Sequence, residues 1–186
     1  MSVGEHLDSS ELFRRYGRYV ASFLARMGVP ASDLDDLMQE VFLVAHKNGG
    51  YVPGPAKPTT YLSNIAFKAV VSHRRKLKTR GFVGLNDDLV ARASNGKNAE
   101  LQREHEQKLE ILAQVLDTLD EDKRAVFVMA ELQGETVVSI AAGLGIPVDT
   151  AYSRLRAARK KFRASVLALS AEQAEALSPS LEGTSR

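Results

Sequence analysis

Residues Thr136 to Arg163 read TVVSIAAGLGIPVDTAYSRLRAARKKFR, and they predict two helices joined by a tight turn. Thr136 caps the first, whose apolar positions Val137, Ile140, Ala141 and Leu144 recur at helical spacing, and Gly143 and Gly145 then allow a reversal. Pro147 has no amide proton and belongs at the start of the second helix, which carries Ala151, Leu155, Ala158 and Phe162 on one stripe. The opposite face shows Tyr152, Ser153, Arg156, Arg159, Lys160 and Arg163, and no acid occurs between Asp149 and Glu172. Small residues at a helix crossing, followed by a cationic helix, are what docking in a DNA groove needs.

Working outward, the chain of 186 residues is 44% hydrophobic, enough for one or two domains with real cores. Its net charge of +2 is unevenly distributed. Acids are absent from Val41 through Asn86, where Lys47, Lys57, Lys68, Arg74, Arg75, Lys76, Lys78 and Arg80 fall, and they are dense from Asp87 to Glu135. Two basic blocks therefore flank an acidic one. Cysteine is absent, which removes disulfides and thiolate metal ligands. The first residues lack the apolar core of a signal peptide, and no run approaches the roughly 20 apolar residues of a membrane span, so a soluble, cytoplasmic chain without membrane insertion is expected.

The chain predicts an all-α fold of two small helical domains joined by a flexible linker. Glu11 to Met27 carries Leu12, Phe13, Tyr16, Val20, Phe23, Leu24 and Met27 on one stripe, with Ser9 or Ser10 as cap. Ser32 opens a second helix with Asp35 at the capping-box position, buried stripe Leu34, Leu37, Met38, Val41, Phe42 and Ala45, and an acidic outer face of Asp33, Asp35, Asp36, Gln39 and Glu40. Asn48 to Pro58 holds three glycines and three prolines and reads as a loop. Thr59 or Thr60 caps a third helix, packed through Tyr61, Leu62, Ile65, Ala66, Ala69 and Val70 and ending in the basic run from His73 to Arg80. The expected division is a first domain over 1–80, a linker over 81–98, a helix-turn-helix domain over 99–169 and a disordered tail over 170–186. In the second domain Leu101, Leu109, Leu112, Val115, Leu116 and Leu119 restart the stripe. Asp120 caps a helix burying Val126, Phe127, Met129 and Leu132, and Gly134 ends it.

Catalytic chemistry is hard to place. His6, His46, His73 and His105 are isolated, no nucleophile elbow or phosphate-binding loop occurs, and paired acids such as Asp35 and Asp36 open a helix. The expectation is no enzyme, no catalytic residue, no metal and no cofactor.

Two helical modules in this order, with DLDDLMQEVFLVAHKN and KPTTYLSNIAFKAVVSHRRK in the first and LDTLDEDKRAVFVMAELQG then SIAAGLGIP in the second, resemble bacterial RNA polymerase sigma factors of the extracytoplasmic-function (ECF) group. The resemblance covers about residues 9 to 168. It implies a factor that binds core polymerase, through the β′ clamp and β flap, recognises minus-35 and minus-10 promoter elements and promotes local melting. Asp35, Asp36, Gln39 and Glu40 would then face the clamp. The Asn48 to Pro58 loop and the start of the third helix would capture a flipped minus-10 base, with Tyr51 and Tyr61 offering rings and Asn64 at the same site; Tyr61, where the family often has Trp, serves equally as a core ring. Lys68 stands where many members carry Asn, which favours a phosphate contact, and His73, Arg74, Arg75 and Lys76 would hold the DNA backbone at the fork. Tyr152, Ser153 and Arg156 would meet minus-35 base edges, with Thr150, Arg154, Arg159 and Lys160 alongside for the phosphates. Relatives are often held inactive by an anti-sigma factor, so such a partner is implied too. The alternative is a stand-alone helix-turn-helix regulator, which would bind DNA without polymerase.

Overall fold

A computed structural model describes residues 5–54, 56–79 and 99–177, with side chains over 5–54, 56–77 and 108–169. Seven α-helices appear among the described residues: α1 (Ser9–Arg26), α2 (Ala31–Lys47), α3 (Pro58–Thr79), α4 (Ala99–Asp117), α5 (Glu121–Phe127), α6 (Val137–Leu144) and α7 (Val148–Leu177). The expected linker and the end of the tail lie outside the described residues. The start of the tail is helical, because α7 runs on to Leu177.

In the first module α1, α2 and α3 pack around Leu12, Val20, Phe23, Leu24, Leu37, Val41, Leu62 and Val70, all nearly devoid of exposure. The apolar stripes predict this core well, since residues three and four apart share a helix face. The caps differ from expectation. Asp8 caps α1, accepting from the Glu11 amide at 2.8 Å, while Glu11 reaches back to the Asp8 amide at 3.2 Å. Pro30 precedes α2 with no side-chain cap, and Ser32 donates to Asp33 at 2.9 Å instead of opening the helix. Phe13, assigned to the stripe, is 57% exposed and meets Phe42 edge-on with centroids 5.0 Å apart.

In the second module Asp120 caps α5 and Thr136 caps α6, as their positions predict, accepting from the amides of Lys123 and Ser139. Asp120 also meets the Lys123 ammonium. Partial burial opposes ionisation of Asp120, yet the Lys123 side chain and amide outweigh it and hold the carboxyl below its usual range. Leu109 of the expected stripe is exposed, whereas Val115, Leu116 and Leu119 are buried. The α5 helix widens into a π turn over Val128–Leu132, closed by the Gln133 amide on the Val128 carbonyl at 3.1 Å.

The turn between α6 and α7 rests on Gly145, whose φ of 67° is the left-handed conformation that glycine adopts without a Cβ penalty. Gly143 has another task. It lies within α6, and a Cβ there would sit 3.0 Å from the Thr60 methyl, so its bareness lets α6 approach the start of α3. Ala151, Leu155 and Ala158 of α7 are buried, and Phe162 stacks on Phe127 at 4.7 Å between centroids. The result is one core cluster that runs from Leu7 through both modules to Ala158.

Candidate nucleic-acid and polymerase interface

The second helix of the helix-turn-helix shows the face its sequence predicts. Tyr152 is 53% exposed, Ser153, Arg156, Arg159 and Lys160 are exposed, and Thr150 is half-buried. The Ser153 hydroxyl donates to the Thr150 carbonyl at 2.9 Å. Arg156 and Lys160 make no ion pair among the described residues, whereas Arg154 pairs with Asp122 at 2.6 Å and Arg159 with Glu131 at 2.6 Å. Two of the expected phosphate contacts are thus already neutralised within the module. Farther along, Arg156, Arg159, Lys160, Arg163, Ala164 and Leu167 line a shallow basic groove.

On α2, Asp35, Asp36 and Gln39 are exposed and Glu40 is half-buried, so the acidic face is open. Beside it lies an apolar groove of about 470 Å³ lined by Phe13, Ala21, Leu34, Met38, Phe42 and Leu43 together with Asp35 and Gln39. Leu43, 49% exposed, was not singled out by the sequence. Its signal was there: an apolar residue off the buried stripe of an otherwise polar face.

The first module's DNA candidates divide. Lys68, Arg75 and Lys76 are exposed. Tyr51, expected to offer a ring to a flipped base, is only 8% exposed: its backbone bridges Leu7, its hydroxyl donates to the Ala56 carbonyl at 2.7 Å, and its ring leans on Tyr61 at 5.8 Å. It shapes the loop from inside. Tyr61 stays half-buried, and Asn64 holds a buried Oδ1 with no hydrogen-bond partner. His73 is bonded to Asp33 at 2.9 Å.

Arg74 is engaged elsewhere, with Glu121 at 2.9 Å and the Met27 carbonyl at 2.5 Å. Arg124, 3% exposed, joins it there, donating from Nε to the Arg26 carbonyl at 2.6 Å and pairing with Asp117. Two guanidiniums thus cover the C-terminal carbonyls of α1, where the helix dipole favours cations. Burial pulls the Arg124 pKa down, with Asp117 acting in the opposite direction.

At the other pole of the first module, the second module presents an anion to the start of α3. Glu135, 6% exposed, accepts from the hydroxyls of Thr59 and of Thr60, the latter at 2.7 Å, while Ser139 lies 3.0 Å from Thr60. The threonines expected to cap α3 hold this carboxylate instead. Tyr19 donates to Gln133 at 2.6 Å and shares a hydrogen bond with Ser63 at 2.9 Å. Burial pushes the Tyr19 phenol up to about 12, against the lowering effect of Ser63. Gln133 and Glu135 follow the π turn, and the Glu135 amide closes on the Met129 carbonyl at 2.9 Å. Sequence reading missed both, because each gains its role only from partners distant in the chain, 114 residues for Gln133 with Tyr19 and 75 for Glu135 with Thr60.

No group of three or more potential metal ligands converges among the described residues, and none of their helices is long and apolar enough to cross a membrane.

The described residues thus expose a basic helix face in the second module and an acidic helix face in the first. Residues 12–80 match the family model Sigma-70 region 2, and residues 109–162 match Sigma-70, region 4. The chain belongs to the sigma-70 family. Within it, the chain is of the ECF group. It is 29% identical over 156 residues to the ECF RNA polymerase sigma-E factor of Escherichia coli (strain K12), covering 78% of this chain and 80% of the relative. It is 26% identical over 163 residues to the RNA polymerase sigma factor NccH of Alcaligenes xylosoxydans xylosoxydans, covering 87% and 88%. In fold it resembles the sigma factor RpoE of Bartonella quintana, solved in complex with the anti-sigma factor NepR, with a TM-score of 0.65, 16% identity, and 83% and 93% of the two chains covered. It is a transcription initiation factor, and the stand-alone regulator is not favoured.

Proposed function

We propose that this sigma factor docks on core RNA polymerase through the open face of α2 and delivers two reading heads to one promoter. The observation that carries this is the pairing, in one chain, of an exposed acidic and apolar face on α2 with an exposed Tyr152 and Arg156 face on α7. Asp35, Asp36, Gln39 and Glu40 supply charge complementarity to the β′ clamp, and the adjoining groove at Phe13 and Leu43 supplies apolar area, the part of such an interface that carries most affinity. The β flap is the expected partner of the second module.

Tyr152, Ser153 and Arg156 read minus-35 base edges, and Thr150, Arg154, Arg159 and Lys160 hold phosphates. Arg154 and Arg159 exchange their carboxylate partners for phosphate, an exchange of like interactions. Near minus 10, Asn64, with an unsatisfied oxygen, and Tyr61 meet the unstacked base, while Lys68, His73, Arg75 and Lys76 hold the backbone; Arg74 joins them once it leaves Glu121. An anti-sigma factor that covers these surfaces fits the same exposed faces, as the complex of the Bartonella quintana relative suggests.

Run-off transcription with purified core polymerase on genomic fragments tests this reading. New start sites should appear only when the chain is added. Promoter binding by the chain alone, with no start site on adding polymerase, would favour a stand-alone regulator.

A further inference from the structure

The loop read above as part of the minus-10 head has one wall on α3 and one wall that no helix holds. Tyr61 and Asn64 stand on α3, whereas among the described residues 51–56 the backbone bonds to other backbone only at Leu7, ahead of α1. The Leu7 amide donates to the Tyr51 carbonyl at 3.0 Å and the Tyr51 amide returns the bond to Leu7 at 2.8 Å, the closely spaced pair of an antiparallel ladder. We propose that His6, Leu7 and Asp8 form a positioning strap for this loop, which presents Val52 to the captured base and so sets minus-10 selectivity. The strap's role rests on the sigma reading, which supplies the base.

Each strap residue is anchored. Leu7 is 3% exposed and belongs to the core cluster. Asp8 is fixed by the capping box of α1. The exposed His6 donates from Nε2 to the Gly49 carbonyl at 2.8 Å, since a carbonyl can only accept. The loop is shaped to receive the strap, because Gly50 has a φ of 88° and a Cβ there would collide with the Leu7 carbonyl oxygen. From the bridge Tyr51 turns inward, and its hydroxyl ties down the Ala56 carbonyl at 2.7 Å. Successive side chains of extended backbone point to opposite sides, so Val52 turns outward and is 68% exposed. An apolar group discriminates between base edges, as it does against a thymine methyl, only where its place is fixed beforehand. Three glycines and three prolines from Asn48 to Pro58 give this stretch no regular structure with which to fix it. The strap does so from outside.

The test is run-off transcription by the full chain with core polymerase, on a promoter the wild type uses, with each base placed in turn at every minus-10 position. His6→Ala removes the Gly49 bond from an exposed residue, and Gly50→Ala pushes Leu7 away from the loop side. Both should lower the preference for the best base about threefold or more, at the one position where Val52→Ala lowers it too, with minus-35 preference unchanged. Exchange of the Tyr51 amide with solvent should quicken in both strap variants, because its partner carbonyl is displaced. A strap that only stabilised the fold would instead lower the melting temperature and reduce output from all promoter variants alike. Wild-type preference in His6→Ala or in a folded Gly50→Ala, a loss spread evenly over all positions, or a Val52→Ala without effect overturns the strap while leaving the sigma reading in place. Should Gly50→Ala fail to fold, His6→Ala and Val52→Ala decide. No start site with the wild-type chain on any genomic fragment overturns the sigma reading and the strap together.

Discussion

Arg156 and Lys160 lie one turn apart on the exposed side of α7, yet they should fail differently. A planar guanidinium at a base edge discriminates, whereas an ammonium on a phosphate adds affinity without reading sequence. Arg156→Ala should therefore cost about 1–3 kcal/mol at one minus-35 base pair and relax selectivity there. Lys160→Ala should weaken all promoters alike and lower the salt slope of binding by about one. Holoenzyme titrations on single-base promoter variants at several salt concentrations check both. Tyr19 gives a pH prediction. Its phenol titrates near 10 when exposed and at about 12 in the folded chain, so the protonated form is favoured by folding. The stability it contributes is complete below pH about 10 and is lost as pH rises through about 12. Thermal melts should show a steeper alkaline loss for the wild type than for Tyr19→Phe, and parallel curves would remove Tyr19 from the contact.

Among the elements, α6 is a short one, and a helix of eight residues leans on its ends. Thr136→Ala removes the hydroxyl that accepts from the Ser139 amide and should cost about 1 kcal/mol in denaturant unfolding. Gly145→Ala forces a side chain into a left-handed turn and should cost roughly 1–2 kcal/mol. On α2, Asp36→Arg reverses an exposed charge and should weaken binding to core polymerase at least several-fold while leaving the melting curve in place. These elements were largely legible in the sequence, since the stripes of α1, α2, α3 and α7 and the caps Asp120 and Thr136 follow from local spacing and local hydrogen bonds. The misses follow from what local spacing omits. Ser32 resembles a cap, but the fixed φ of Pro30 already starts α2, and Asp8 outcompetes Ser9 because its carboxylate reaches the Glu11 amide. Phe13 and Leu109 fall on the outer edges of apolar stripes, where both stay exposed although Phe13 meets Phe42. Tyr51 and Glu135 are defined by partners distant in sequence, which no periodicity announces.

At the scale of the whole molecule, two basic blocks flank an acidic one along the sequence, and the net charge is only +2. Self-cancelling charge of this kind gives weak long-range attraction to DNA, so promoter affinity should come mainly from the assembled complex with polymerase. The packing of the two modules works in the same direction, because Glu121 occupies Arg74 and Glu135 occupies the start of α3. The most direct measurement is multi-template run-off transcription with purified core polymerase, comparing the wild type with Asp36→Arg and Arg156→Ala. Discrete start sites that require the wild-type chain, fade with Asp36→Arg everywhere and shift in promoter preference with Arg156→Ala are the predicted result. Transcription no different from core polymerase alone, on every template, would contradict it.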